Sequence, residues 1–113
     1  MKVGFMLPLG EDEATRRTQS WGELSDMSIA ADEGGLDSVW GADHLLFRDG
    51  EDVTGIHECW TILTAVAAVT KRVEIGPLVL AMPFRNPAMV AKQAATFDEV
   101  SGGRLGGQAI DRG

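Results

Sequence analysis

Two adjacent residues, Asp43 and His44, join a carboxylate to a side chain whose ordinary pKa lies near 7. An imidazole suits general acid–base work because it can take or release a proton at neutral pH. Both residues follow Asp37–Gly41, a short run that reads as a strand, so they fall at its carboxyl end. Adjacent strand residues point to opposite faces, so the two need not touch each other. The bland alternative for His44 is a loop histidine that only hydrogen-bonds backbone. His57 reads as a surface residue at the start of a helix. A metal site built from Asp43, His44 and His57 matches no ligand spacing, and no metal is expected.

A second feature lies in Val73–Ala81, an almost continuously apolar run that reads as a strand covered on both faces. Pro77 interrupts it. Proline cannot donate to a ladder, so the interruption marks an edge or a bulge, and a bulge leaves backbone free for a flat ligand. Arg85 follows at the rim, available to an anionic group or to water. Cys59, the single cysteine, has no basic neighbour and reads as a small buried side chain; an internal disulfide is impossible.

These positions need elements to hold them. Lys2–Leu7 reads as a buried strand stopped by Pro8 and Gly10. A helix is expected from about Thr18 to Glu33, with Trp21, Leu24, Met27 (or Ser28) and Ala31 on its apolar face and Gly34-Gly35 closing it. An acidic loop then leads to a helix over about His57–Thr70, with Trp60, Leu63, Ala67 and Val66 or Ala68 turned inward. Asn86 caps a third helix with Pro87 at its first position, where a missing N–H costs nothing. Val90, Ala94 and Phe97 share its inner face, and Ala91 and Ala95 allow close approach to a sheet. Ser101-Gly102-Gly103 ends it, and a fourth strand is expected at Arg104-Leu105.

Strand starts near Lys2, Asp37, Val73 and Arg104 lie 35, 36 and 31 residues apart. Alternation at this spacing gives right-handed βαβ units and a parallel sheet. No G-x-G-x-x-G follows the first strand, which disfavours a dinucleotide-binding open sheet and favours the eight-fold barrel. A complete barrel takes about 250 residues, so about three and a half units of a partial TIM (β/α)8 barrel are expected from these 113 residues. In either architecture ligands sit beyond the carboxyl ends of the strands, which selects Leu7–Gly10, Ala42–Leu46 and Ala81–Asn86.

Ten basic against seventeen acidic residues give a net charge of −7, which argues against nucleic acid or an anionic membrane as partner. The acid gathers at Glu11–Glu13 and Asp49–Asp52, both read as solvated loops. No signal peptide and no membrane span are expected, and the chain reads as cytoplasmic.

The runs Ser38-Val39-Trp40-Gly41-Ala42-Asp43-His44-Leu45, Ile75-Gly76-Pro77-Leu78-Val79-Leu80, Pro83-Phe84-Arg85-Asn86-Pro87 and Ala91–Asp98 through Ser101-Gly102-Gly103-Arg104-Leu105 resemble the luciferase-like monooxygenases, the bacterial luciferase superfamily. The resemblance implies a TIM barrel that binds F420 (or FMN) at the strand carboxyl ends, an oxidoreductase or monooxygenase acting on a small organic substrate. It implies a proton-handling role for His44, cofactor contact for Asp43, and a non-prolyl cis peptide at Leu78-Val79 that backs the ring, with Ala81 beside it. Residues 1–105 are expected to be the N-terminal part of such a barrel. After Leu105 the text departs from the family, and 106–113 read as a divergent tail, pointing to a shifted reading frame or a truncated gene. Open strand edges and uncovered apolar faces would then call for self-association, a homodimer being expected. The alternative to an enzyme is a non-catalytic barrel fragment that pairs with another chain.

Overall fold

In the computed structural model, which describes residues 1–106 and 110–111, three strands form a parallel sheet. They are β1 (Gly4–Met6), β2 (Ser38–Gly41) and β5 (Glu74–Pro77), in the order β1-β2-β5. Phe5 stands opposite Val39, and Val39 opposite Ile75. A fourth strand starts where expected: Ile75 bridges Leu105 in parallel, with Ile75 N–H donating to Arg104 O at 2.9 Å and Gly106 N–H to Ile75 O at 2.7 Å. Farther along, β6 (Leu80–Ala81) pairs in parallel with β7 (Ile110–Asp111). The backbone at Ile110–Asp111 thus pairs beyond the point where the apolar pattern lapses. The remainder of the tail, 107–109 and 112–113, lies outside the described residues.

Each crossover is a helix with a readable start. Ser20 caps α1 (Trp21–Glu33) in a capping box with Glu23, which fixes the helix start three residues later than Thr18. Trp21 therefore occupies the first helical position and is 39% exposed, contrary to expectation, while Leu24, Ser28 and Ala31 are buried. Glu58 caps α2 (Cys59–Val69), whose buried face is Cys59, Trp60, Leu63, Val66 and Ala67. Asn86 and Pro87 start α3 (Pro87–Ser101) as the sequence predicts, and Gly102 ends it at φ 67°. That helix meets α2 rather than the sheet, through the Trp60–Phe97 ring pair at 5.4 Å. Ala91 and Ala95, expected to face a sheet, are exposed.

The core runs between sheet and helices: Leu24, Val39, Leu63, Val66, Val73, Ile75 and Phe97 are almost wholly buried. On the other side of the sheet the Trp40 ring crosses the neighbouring strands over glycines. A Cβ at Gly4, Gly76 or Gly106 would lie within 3.0 Å of it, and its Nε1 donates to Ser38 Oγ at 2.8 Å. Bulk at those three positions would displace the indole.

The acidic stretch after His44 is not an irregular loop. It forms a hairpin, β3 (Phe47–Asp49) and β4 (Asp52–Thr54), turning at Gly50 with φ 61°. A left-handed residue at the first central position is what a tight hairpin requires. Among the described residues no helix is long and apolar enough to cross a membrane.

Candidate functional site

The carboxyl ends of β2 and β5 are tied together by backbone and by one carboxylate. The β2–β5 ladder runs to the Gly41–Pro77 pair, and Leu78 N–H then donates to Gly41 O at 2.8 Å. There the chain leaves the ladder. A cis peptide bond joins Leu78 and Val79, at the position the family resemblance implies. Because β5 has partners on both sides, Pro77 does not mark an edge strand; it marks the break between β5 and β6.

Pairing with the end of β2 resumes through a side chain. Ala81 N–H donates to Asp43 Oδ2 at 2.8 Å, so the carboxylate stands where a backbone acceptor is missing. Asp43 is 3% exposed. Its compensation is a forked ion pair: Arg85 Nε lies 2.9 Å from Oδ2 and Nη2 lies 2.6 Å from Oδ1. Such bidentate pairs are among the strongest hydrogen-bonded contacts a carboxylate makes. Arg85 also reaches Glu58 Oε2, at 3.3 Å. The hydrogen bonds to Asp43 raise the Arg85 pKa against the opposing effect of burial. For Glu58 burial pushes upward, but the Thr61 N–H and hydroxyl and Arg85 outweigh it and hold the carboxyl below its ordinary value.

Near this pair His44, Leu78 and Val79 are exposed. Leu78 and Val79 are 46% and 43% exposed, whereas Pro77 and Leu80 on either side are buried. His44 is exposed and its ring lies 4.9 Å from that of Phe47, tilted by 46°. Phe47 in turn covers Gly10, where a Cβ would come within 3.1 Å of the phenyl ring. The hairpin and the loop after β1 are joined by the Gly10–Ile56 bridge, by Glu11 N–H to Gly55 O at 3.0 Å and by Gly55 N–H to the Glu11 carboxylate.

Of the predicted site residues, Asp43 and Ala81 are in direct contact, and Leu78 is bonded to the end of the strand that carries Asp43 and His44. Arg85, read from sequence as a rim residue, is the carboxylate's partner. His57 stands apart: its Nε2 lies 2.7 Å from Gln19 O, and among the described residues no three His, Cys, Asp or Glu side chains come together as a metal site. Cys59 is 1% exposed, with Sγ 3.5 Å from Gly41 O. Burial, reinforced by the Asp43 and Glu58 charges, pushes its thiol up to about 12, so it is no nucleophile at neutral pH.

Residues 1–107 match the profile of the luciferase-like monooxygenases. The chain belongs to that family. Over 86 residues it is 44% identical to an F420-dependent glucose-6-phosphate dehydrogenase of Amycolatopsis mediterranei, covering 74% of this chain and 25% of the dehydrogenase. An F420-dependent secondary alcohol dehydrogenase, solved with an F420–acetone adduct, superposes with a TM-score of 0.73 at 27% identity, covering 96% of this chain and 31% of the dehydrogenase. The oxygenating component of 3,6-diketocamphane monooxygenase from Pseudomonas putida, solved with FMN, shares the fold with a TM-score of 0.71 at 24% identity. It covers all of this chain and 30% of its own. The family member described here thus spans between a quarter and a third of the length of these relatives.

Proposed function

We infer that this chain carries the cofactor-facing part of an F420-dependent oxidoreductase acting on a small organic substrate, with FMN as the alternative cofactor. The observation that carries the reading is the exposed apolar Leu78-Val79 pair at the carboxyl ends of β5 and β2, beside the exposed His44. The residues suit such a group: a flat deazaflavin or flavin ring needs an apolar wall against one face and a proton donor at its edge. Leu78, Val79 and Ala81 form the wall, His44 is the proton-handling residue, and Asp43 contacts the cofactor region from beneath. When bound, the cofactor supplies the hydride or reacts with oxygen. F420 is favoured because two of the similar enzymes named above use it. Residues 1–105 are taken as the N-terminal part of the barrel and 106–113 as a divergent tail. The net charge of −7 supports a reading without nucleic-acid or anionic-membrane partners, and the chain is taken as cytoplasmic. The test is titration of the chain with F420 and with FMN, followed by ligand fluorescence: saturable binding at micromolar concentration is expected, and no binding of either at tens of micromolar contradicts the reading.

A second reading, self-association of the barrel segment as a homodimer, has its own support. Leu45 is 72% and Met89 57% exposed, and β1 has a neighbour on one side only among the described residues. Unpaired strand edges and apolar surface favour association. Size-exclusion chromatography with light scattering should give a dimer mass; a compact monomer at all concentrations excludes it.

A further inference from the structure

The geometry points to Arg85 as a positioning residue that, through the Asp43 carboxylate, sets the spacing between His44 and the Leu78-Val79 wall. This deepens the functional reading above and rests on it only for its consequence in binding. Among the described residues, two hydrogen bonds attach the segment from Leu78 to Ala81 to the end of β2: Leu78 N–H on Gly41 O, and Ala81 N–H on Asp43 Oδ2. The second attachment is a side chain, and a side chain holds a backbone in register only while its own rotamer is held.

Arg85 holds it. The guanidinium spans both Asp43 oxygens and is itself 12% exposed, so the pair is removed from competing water. Arg85 is also fixed from its own backbone. It closes the 3-10 turn Met82–Phe84, its N–H donating to Met82 O at 2.9 Å, and it directly precedes Asn86, the cap of α3. Glu58, the cap of α2, holds the second side of Nη2. One cation therefore joins the starts of two helices to the end of β2. His44 is the next residue after Asp43, so the same lock fixes the backbone from which the imidazole projects. Lysine could supply the charge but not the planar fork, so it could not hold both oxygens in one orientation.

The experiment uses the 15N-labelled chain and the variants Arg85→Met, Arg85→Lys and Asp32→Asn. The last alters the other buried carboxylate, at the opposite end of the sheet, and reports simple destabilisation. In Arg85→Met the exchange rate of the Ala81 amide should rise at least tenfold and the His44 ring resonances should shift, while Asp32→Asn leaves both in place and loosens the Val73 amide. F420 affinity should fall about tenfold in Arg85→Met, fall less in Arg85→Lys and stay unchanged in Asp32→Asn. Unaltered Ala81 exchange and His44 resonances in Arg85→Met overturn the proposal, as does an equal loss of affinity in Asp32→Asn. If Arg85→Met does not fold, Arg85→Lys carries the same amide and ring test. Absence of F420 binding by the parent chain would refute the functional reading, and the amide measurement would still decide the lock.

Discussion

Two buried aspartates close the two ends of the same sheet, and they are satisfied by different means. At the amino end Asp32 accepts three backbone N–H groups, from Lys71 at 3.0 Å, Arg72 at 2.9 Å and Val73 at 3.0 Å. At the carboxyl end Asp43 accepts one backbone N–H and the fork of Arg85. At the amino end every donor to the carboxylate is a main-chain N–H, without a charged side chain on its oxygens among the described residues. Arg104 adds to that end, donating to Ala67 O, Thr70 O, Thr70 Oγ1 and Val73 O at 2.9 to 3.1 Å. The carboxyl end depends on a charged pair next to an exposed histidine and an exposed apolar step. A main-chain stitch serves the fold alone; a side-chain lock can serve a site, because it fixes two neighbouring segments without covering them.

The largest expected effect follows from that asymmetry. Arg85→Met strands a buried carboxylate, which costs about 3–5 kcal/mol, whereas Asp32→Asn keeps one acceptor oxygen and costs about 1–3 kcal/mol. Adding Asp43→Asn to Arg85→Met should restore much of the stability, since the uncompensated charge is then gone. Urea melts of the three variants check this; equal losses at both ends, or no rescue, would erase the distinction between them.

A smaller effect is expected from pH. Burial pushes the Asp32 carboxyl upward, but the three backbone N–H groups and Arg72 outweigh it and hold it below the ordinary 3.8. A depressed folded pKa means that the unfolded chain binds the proton first. The stabilisation is therefore complete above the unfolded value and is lost as pH falls through the folded one. Glu58, held below 4.5, adds in the same direction. Melting temperature should decline below about pH 4, and Asp32→Asn should flatten that decline. An unchanged slope in Asp32→Asn would show that the amino-end carboxylate is not the group responsible.

Much of this was legible in the residues. The places of the strands, the Asn86-Pro87 helix start, the closing glycines and the burial of Cys59 follow from local pattern, and the Leu78-Val79 bond follows from the family text. But β1, expected buried, is exposed at Gly4 and Met6, and the run Val73–Ala81, expected as one strand, breaks after Pro77. The Ser20–Glu23 capping box and the Asp49-Gly50 hairpin turn were written locally as well, and both correct expectations, moving the start of α1 and replacing a loop by strands. Arg85 is different in kind. Nothing within its own neighbourhood says that a residue forty-two positions earlier will accept its fork. That partnership is set by the register of β2 against β5 and by the break after Pro77, which only the assembled sheet defines. The outward alanines of α3 likewise follow from its docking on α2 rather than from their own spacing.

The central claim is that the carboxyl end of this sheet, and not the amino end, receives the cofactor. Following the F420 titration residue by residue in 15N–1H spectra tests it most directly. Shifts concentrated at Asp43, His44 and Leu78 to Ala81, with Lys71 to Val73 unmoved, are the predicted result; shifts centred on the Asp32 end, or spread evenly over the chain, would contradict it.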